Sequence, residues 1–155
     1  MTKLAQKTYC VVLIKDFEDS IKLNISDNKD YDCIEIDVSS SISDDEFLIK
    51  TNTYEKIVFA LEAGSRKASI FLKYALHLIN KECVIVTNIP FKFEGQRKRN
   101  NALETLEYLL TERANVEIIK NDAIVNKLGK GAIFAQAVEA CRDEFMYIIN
   151  ETTKM

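Results

Sequence analysis

Glycine and proline are scarce in this chain of 155 residues, which has four glycines and one proline. Average usage of about 7% and 5% would give roughly eleven glycines and eight prolines. A glycine-rich loop that cradles phosphate groups would use most of the glycines, so the sequence excludes such a loop in its usual form. The chain also has a single histidine, which excludes catalysis or metal binding that needs two imidazoles.

Cysteines are few and widely separated. The chain has four, without any Cys-x-x-Cys pair: Cys10, Cys33, Cys83 and Cys141. Three lie inside apolar runs and the fourth lies on a helical pattern, so the sequence predicts buried free thiols. A disulfide framework or a zinc site is disfavoured. We expect no metal site.

Long hydrophobic runs are missing as well. No apolar stretch approaches the roughly 20 residues that cross a bilayer, and the amino terminus lacks the apolar region of a signal peptide. We therefore expect a cytoplasmic protein without a membrane span. Its 47% hydrophobic content excludes a disordered acidic chain, and its length fits one domain over residues 1–155.

The charge pattern gives little support for a nucleic-acid partner. The net charge is −3. The basic run Arg97, Lys98 and Arg99 is short and contains no interleaved aromatic residues. A nucleic-acid-binding surface would combine a larger basic patch with aromatic residues. We expect that the chain does not bind nucleic acid.

Strand and helix patterns alternate along the chain. Short β-branched or alternating apolar runs predict strands at residues 8–14, 31–38, 55–61, 83–87 and 116–119. Helical spacing predicts helices at residues 43–49, 65–81, 96–113, 122–128 and 131–152. The helix at 65–81 is so apolar that we expect it to be largely buried, with His77 facing solvent. Residues 16–28 stay open between helix, strand and loop.

This alternation predicts an α/β fold of the Rossmann-like kind: a doubly wound, mostly parallel sheet with helices on both faces. Ligands of such sheets bind at the carboxyl ends of the strands, where the strand order reverses. The loops that follow Ile14, Val38, Leu61, Thr87 and Ile119 should therefore lie together along one edge.

Two segments carry a more specific pattern. Residues 84–99 read VIVTNIPFKFEGQRKR, and residues 120–131 read KNDAIVNKLGKG. The Pro-Phe-x-Phe-Glu-Gly run, the Asn-Asp pair and the Gly-x-Gly, at these spacings, resemble the nucleotide-binding domain of FtsZ, the bacterial relative of tubulin that forms the division ring. The resemblance is clear over residues 84–143 and implies the FtsZ/tubulin type of α/β fold and a bacterial cell-division protein.

The resemblance implies roles for four residues toward a guanine nucleotide. Glu94 would accept hydrogen bonds from the ribose, and Lys98 would stand near the phosphates in place of the family's arginine. Asn121 would contact the base edge, and Asp143 would accept from the N1–H and 2-amino groups of guanine. Two of these residues also have a structural interpretation, in which Glu94 begins a helix with Gly95 and Asn121 is a helix N-cap.

The phosphate half of the family's site is altered. Where the family has a Gly-Gly-Gly-Thr-Gly-Thr-Gly loop, residues 62–69 read EAGSRKAS, so Gly64, Ser65, Arg66 and Lys67 form a degenerate phosphate loop. After the first strand, residues 15–20 read KDFEDS, with three acids and no glycine. Carboxylates at this place would repel a polyphosphate.

The resemblance thus implies a degenerate, catalytically inactive FtsZ-like protein with no catalytic residues and no required cofactor. The family's carboxy-terminal domain and its water-activating acidic loop would lie beyond Met155. We expect action through protein contacts, with an FtsZ-type filament protein or a second copy of the chain as partner, for example in capping or modulating a filament. The alternatives are a domain that still binds GTP or GDP without hydrolysis and a small-molecule module unrelated to nucleotides.

Overall fold

Five parallel strands form one sheet in the computed structural model, which describes residues 7–40 and 44–154. The strand order is β2-β1-β3-β4-β5. The strands are β1 (Tyr9–Lys15), β2 (Tyr31–Asp37), β3 (Lys56–Ala60), β4 (Glu82–Ile89) and β5 (Asn115–Lys120). The continuous apolar runs lie in the centre of the sheet, since β1 and β3 are buried on both faces. The α/β prediction is confirmed, and the alternating β2 lies at one edge of the sheet.

Helices cover both faces of the sheet. They are α1 (Asp44–Thr51), α2 (Arg66–Leu78), α3 (Gln96–Thr111), α4 (Asn121–Leu128) and α5 (Phe134–Thr153), with a single 3-10 turn, Lys92–Glu94, between β4 and α3. Ser43, predicted as the first residue of α1, lies outside the described residues. Gly129 ends α4 with φ +88°, a backbone conformation that glycine adopts without strain.

Two separate apolar cores lie on the two faces. One contains Val12, Phe59 and Leu72 with side chains from α1, α2 and α3. The other contains Val11, Leu13 and Phe145 with side chains from α5. This division fits a doubly wound sheet, in which each strand contributes alternate side chains to opposite cores.

The connection from β1 to β2, which the sequence left open, contains no helix. Residues 16–30 run without regular structure. Ile21, Leu23 and Ile25 are buried in the same core as α5, whereas the intervening Lys22 and Asn24 are exposed. The alternation is that of an extended chain.

Two predictions about burial are wrong in part. Helix α2 ends at Leu78 rather than at residue 81, and its Ile70 and Tyr74 are exposed, so it packs by one narrow face instead of being largely buried. Of the four free thiols, only Cys10 and Cys141 are buried, while Cys33 and Cys83 are half-buried near strand ends. His77 is exposed, as expected, with its Nε2 3.3 Å from the hydroxyl oxygen of Tyr108.

Candidate functional site

The strand order reverses between β1 and β3. The chain leaves β1 toward β2 on one side, and it leaves β3 toward β4 on the other. In a doubly wound sheet, ligands bind in the crevice that this reversal opens at the carboxyl ends of the strands. The residues after β1 and β3 therefore identify the candidate site, together with those that follow β4.

The residues after β1 fold over this crevice and are held there by Glu62. We call residues 16–22 the switch-point strap. Glu62 lies two residues after the end of β3. Its carboxylate accepts the backbone N–H groups of Ser20 and Ile21 at 3.0 Å and of Lys22 at 3.1 Å. Lys22 has φ +54°, a left-handed conformation that is rare for residues other than glycine. Successive N–H groups converging on one anion form a backbone nest.

Glu94 and Lys98 close the crevice from the β4 side. Glu94 ends the 3-10 turn and accepts the Phe91 N–H at 2.7 Å and the Ser20 hydroxyl. The Lys98 ammonium group, on the first turn of α3, donates to Glu94 at 3.3 Å and to the Glu18 carbonyl oxygen at 2.7 Å. Both side chains are well buried. Each therefore binds the chain itself at the place where the resemblance implies contacts to a nucleotide.

A carboxylate also stands at the amino end of α2. Ser65 is the N-cap of this helix, and its hydroxyl oxygen accepts the Ala68 N–H at 3.1 Å. The same hydroxyl donates to Asp16 at 2.7 Å. Helix N-termini favour negative charge, and phosphate groups commonly bind there. In this chain Asp16 supplies the negative charge. We call Asp16, Asp19, Glu62, Glu94 and Lys98 the switch-point cluster.

Little space remains inside the cluster. The cavity between the strap, the loop after β3 and α3 measures about 10 Å³, close to the volume that one water molecule needs. Gly64 permits this close packing, because a Cβ atom there would lie 3.2 Å from the Lys98 Cβ and 3.5 Å from the Pro90 ring. The crevice is thus filled by side chains of the protein.

The electrostatics of the cluster are dominated by buried carboxyl groups. Burial raises the pKa of Asp19 to about 7, with the charge of Glu62 as the next contribution. Burial also raises the pKa of Glu62, while its three backbone N–H bonds act in the opposite direction. Within the described part of the chain, Asp16 Oδ1 and Asp19 Oδ1 are buried without a hydrogen-bond partner. Such groups are costly unless they bind a proton or water.

The residues implied in base recognition are not brought together. Asn121 is fully buried, and its side-chain oxygen accepts from the Asn88 amide at 3.3 Å. The N-cap interpretation of Asn121 is wrong, because this residue already begins α4 and its side chain bonds to β4 instead of to the helix. Asp143 lies exposed on α5. Their roles toward guanine stay predictions.

The degenerate phosphate loop divides into two parts. Gly64 and Ser65 are buried and contact Lys98 and Asp16 as described above. Arg66 and Lys67 are exposed on the first turn of α2. Lys67 does not line the cavity of the cluster.

Exposed aromatic side chains lie beside the closed crevice. Phe93 is 64% exposed and stacks on the buried Phe91, with ring centroids 4.9 Å apart. Phe134, at the start of α5, is 55% exposed and meets Phe93 edge-on at 5.4 Å. Ile133 is exposed next to it. We call Phe93, Ile133 and Phe134 the edge aromatic patch, because they lie at the carboxyl edge of the sheet.

In residues 7–40 and 44–154, no three side chains of His, Cys, Asp or Glu are arranged to hold a metal ion, although the cluster contains four carboxyl groups. None of the helices in these ranges is long and apolar enough for a membrane span.

Several residues of the site were not predicted as members of it. The sequence pattern marks Asp16 and Asp19 only as charges unfavourable to phosphate and Glu62 only as the first residue of the altered loop, and it gives no role to Ser20 or Asn88. One available signal is their position, since an acid comes directly after β1 and another after β3. Polar residues at the carboxyl ends of two apolar strands of a parallel sheet are expected to lie near one another.

Comparison with models of known protein families gives no match for this chain, and no curated protein matches it in sequence. The resemblance to FtsZ therefore rests on the motifs in residues 84–143 alone.

Proposed function

We propose that this chain is a non-catalytic protein that acts by binding another protein, and that its partner is a filament protein of the FtsZ type. The observation that carries this proposal is the filled crevice at the β1/β3 switch point. Glu62, Glu94 and Lys98 bind the strap at the position where a Rossmann-like sheet would bind a ligand.

Catalysis or nucleotide binding would need space that the crevice lacks. Ligand pockets measure about 300–1,000 Å³, and the cavity here measures about 10 Å³. A nucleotide could enter only if the strap moved away. Its phosphates would then meet the carboxyl groups of Asp16, Asp19 and Glu62, and like charges repel in a buried site.

The edge aromatic patch supports a role in protein contacts. Aromatic residues are enriched at protein–protein interfaces, where their burial provides much of the affinity. Phe93 also belongs to the run that resembles FtsZ, so the proposal of an FtsZ-type partner depends on the same segment of the sequence. A second copy of the chain is the other partner that the patch could bind.

Co-sedimentation with an FtsZ-type filament protein from the same host tests this proposal. We expect the chain to pellet with filaments or to change the amount of polymer, and the double variant Phe93→Ser/Phe134→Ser to lose at least about tenfold in affinity, or about 1.4 kcal/mol. Leu110→Ser is the matched control, because Leu110 is 63% exposed at the far end of α3. If the wild-type chain neither pellets nor alters assembly, the proposed partner is wrong.

The alternative function is binding of GTP or GDP without hydrolysis. Thermal unfolding with millimolar GTP, GDP or ATP, with and without magnesium, distinguishes it from the proposed one. We expect no shift in the unfolding midpoint, because the crevice is filled. A ligand present at about 100 times its Kd would stabilise the chain by roughly 2.7 kcal/mol, or several degrees. A rise specific to guanine nucleotides would therefore show that the chain binds GTP or GDP and that the strap yields to them.

A further inference from the structure

The switch-point strap differs from the rest of the β1–β2 connection in how it is attached. Leu23 and Ile25, which follow it, are buried among apolar side chains beneath α5. The strap itself depends largely on polar contacts, with Ile21 as its one deeply buried apolar side chain. Its central hydrogen bonds are the three that Ser20, Ile21 and Lys22 donate to Glu62.

The charges around the strap do not balance. The strap contributes Asp16, Asp19 and Glu18, the loop after β3 contributes Glu62, and the 3-10 turn contributes Glu94. Two of the facing cations lie on α3: Lys98 bonds to Glu94 and the Glu18 carbonyl, and Arg97 lies 3.7 Å from the Glu18 carboxylate. A third is Arg142 of α5, whose guanidinium donates to the Ile21 carbonyl at 2.8 Å. The fourth is the exposed Lys22 of the strap. Among the described residues, no hydrogen bond or ion pair joins one of these cations to Asp16, Asp19 or Glu62, although the charge of Lys98 acts to lower the pKa of Asp19.

Hydrogen bonding distinguishes the carboxyl groups. Three N–H donors favour the charged form of Glu62, and Glu94 has Lys98 as a counterion. Asp19 accepts only the Asp16 N–H, through Oδ2 at 3.0 Å, while its Oδ1 has no partner within the described chain. Asp16 Oδ1 also lacks a partner there, but Asp16 Oδ2 accepts the Ser65 hydroxyl at the amino end of α2, where negative charge is favoured. Asp19 is therefore the group on which a proton relieves the most repulsion. The thiol of Cys141 on α5 adds no negative charge near neutral pH, because burial raises its pKa to about 12.

We infer that a proton on Asp19 holds the switch-point strap closed, and that loss of this proton loosens the strap from Glu62 and opens the β1/β3 crevice. The device is a pH-dependent closure built from the strap, the loop after β3 and α3. It does not depend on the identity of any partner, so it can fail or succeed independently of the proposed function.

The direction of the pH dependence follows from linkage. Burial in the closed form raises the pKa of Asp19 from its ordinary 3.8 to about 7, and opening returns the group toward its ordinary value. The closed form thus binds the proton more tightly than the open form, and the closed strap is most strongly favoured over the open strap below about pH 4. Between about pH 4 and about pH 7, the population ratio of closed to open strap falls by up to about tenfold for each pH unit, and above about pH 7 this ratio is constant.

Amide hydrogen exchange of the wild-type chain at about pH 5 and about pH 7.5, corrected for the intrinsic exchange rates, tests the inference. We expect the protection of the Ile21 and Lys22 amides to fall by roughly tenfold to a hundredfold at the higher pH, while that of Val12 in the middle of β1 changes much less. Equal protection of Ile21 at both pH values, or a parallel loss at Val12 that indicates global unfolding, overturns the inference.

Asp19→Asn is the decisive variant. It removes the ionisation but keeps an oxygen that accepts the Asp16 N–H, so Ile21 should stay protected at both pH values. Asp45→Asn is the matched control, because Asp45 is exposed on α1 and should leave the pH dependence unchanged. A pH dependence that persists in Asp19→Asn assigns the effect to another group. If that variant does not fold, the wild-type comparison of Ile21 with Val12 still decides.

Discussion

At each edge of the sheet, one lysine donates hydrogen bonds to backbone carbonyl oxygens of a neighbouring loop, but the surroundings of the two lysines differ. At the amino edge, the Lys81 ammonium group donates to the carbonyl oxygens of Thr51 at 2.6 Å, Asn52 at 2.9 Å and Tyr54 at 2.6 Å. It thereby caps the end of α1 and the turn that leads into β3. At the carboxyl edge, Lys98 bonds to one carbonyl oxygen and one carboxylate within a cluster of four acids.

The difference separates a structural contact from a candidate functional one. Lys81 satisfies neutral acceptors that a helix end always leaves, so its contacts should not depend on pH. Lys98 is the one cation among four buried or half-buried carboxyl groups of the switch-point cluster, and such imbalance is common at functional sites. Open grooves of about 250 and 440 Å³ lie at the amino edge beside Lys81, whereas the cavity at the carboxyl edge measures about 10 Å³.

Replacing Lys98 should have the largest effect on stability. Lys98→Met keeps the aliphatic stem that packs on Gly64, but it leaves Glu94 buried without its counterion. Breaking a buried ion pair from one side typically costs about 3–5 kcal/mol. We expect urea unfolding at about pH 7.5 to show a loss near 3 kcal/mol, since the pair is not fully enclosed. A loss below about 1 kcal/mol would mean that Lys98 does not hold the cluster together.

Replacing Lys81 should have a smaller effect that does not vary with pH. Lys81→Met removes three hydrogen bonds to carbonyl groups, and water can replace the one at the exposed Asn52. We expect a loss of about 1–2 kcal/mol in urea unfolding, equal at about pH 5 and about pH 7.5. A loss of stability that differs between the two pH values would contradict our conclusion that the contacts of Lys81 at the amino edge do not depend on pH.

Replacing Asp143 should have the smallest effect. Its side chain is exposed on α5, so Asp143→Ala should change the free energy of unfolding by less than about 0.5 kcal/mol. The same variant tests the role implied by the resemblance. If the wild-type chain binds GTP and this substitution weakens binding by about tenfold or more, Asp143 recognises guanine after the strap opens.

The fold could be predicted from the sequence to within a few residues at most element ends. The run at residues 8–14 became β1, and the helix predicted at residues 122–128 became α4. Errors occurred where tertiary contacts override local pattern. Helix α2 stops at Leu78 because Ile79 is extended, and β4 continues to Ile89, two residues past the predicted end, because it pairs with β5.

The candidate site was only partly predictable. Glu94 and Lys98 stood in a recognisable motif and do lie in the switch-point cluster. Asp16 and Glu62 did not, because a carboxylate after a strand looks the same in sequence whether it faces solvent or another chain segment. The contact of Ser20 with Glu94 spans 74 residues, and that of Lys98 with the Glu18 carbonyl spans 80.

The sequence by itself determined the alternation of strands and helices, the parallel sheet and the edge at which the polar loops gather. These follow from local periodicity and from the rules that connect parallel strands. Only the tertiary structure decided that Glu62 occupies the nest of the strap and that Asp19 Oδ1 is buried without a hydrogen-bond partner among the described residues. Those properties depend on distances between remote residues and on burial, which no local pattern specifies.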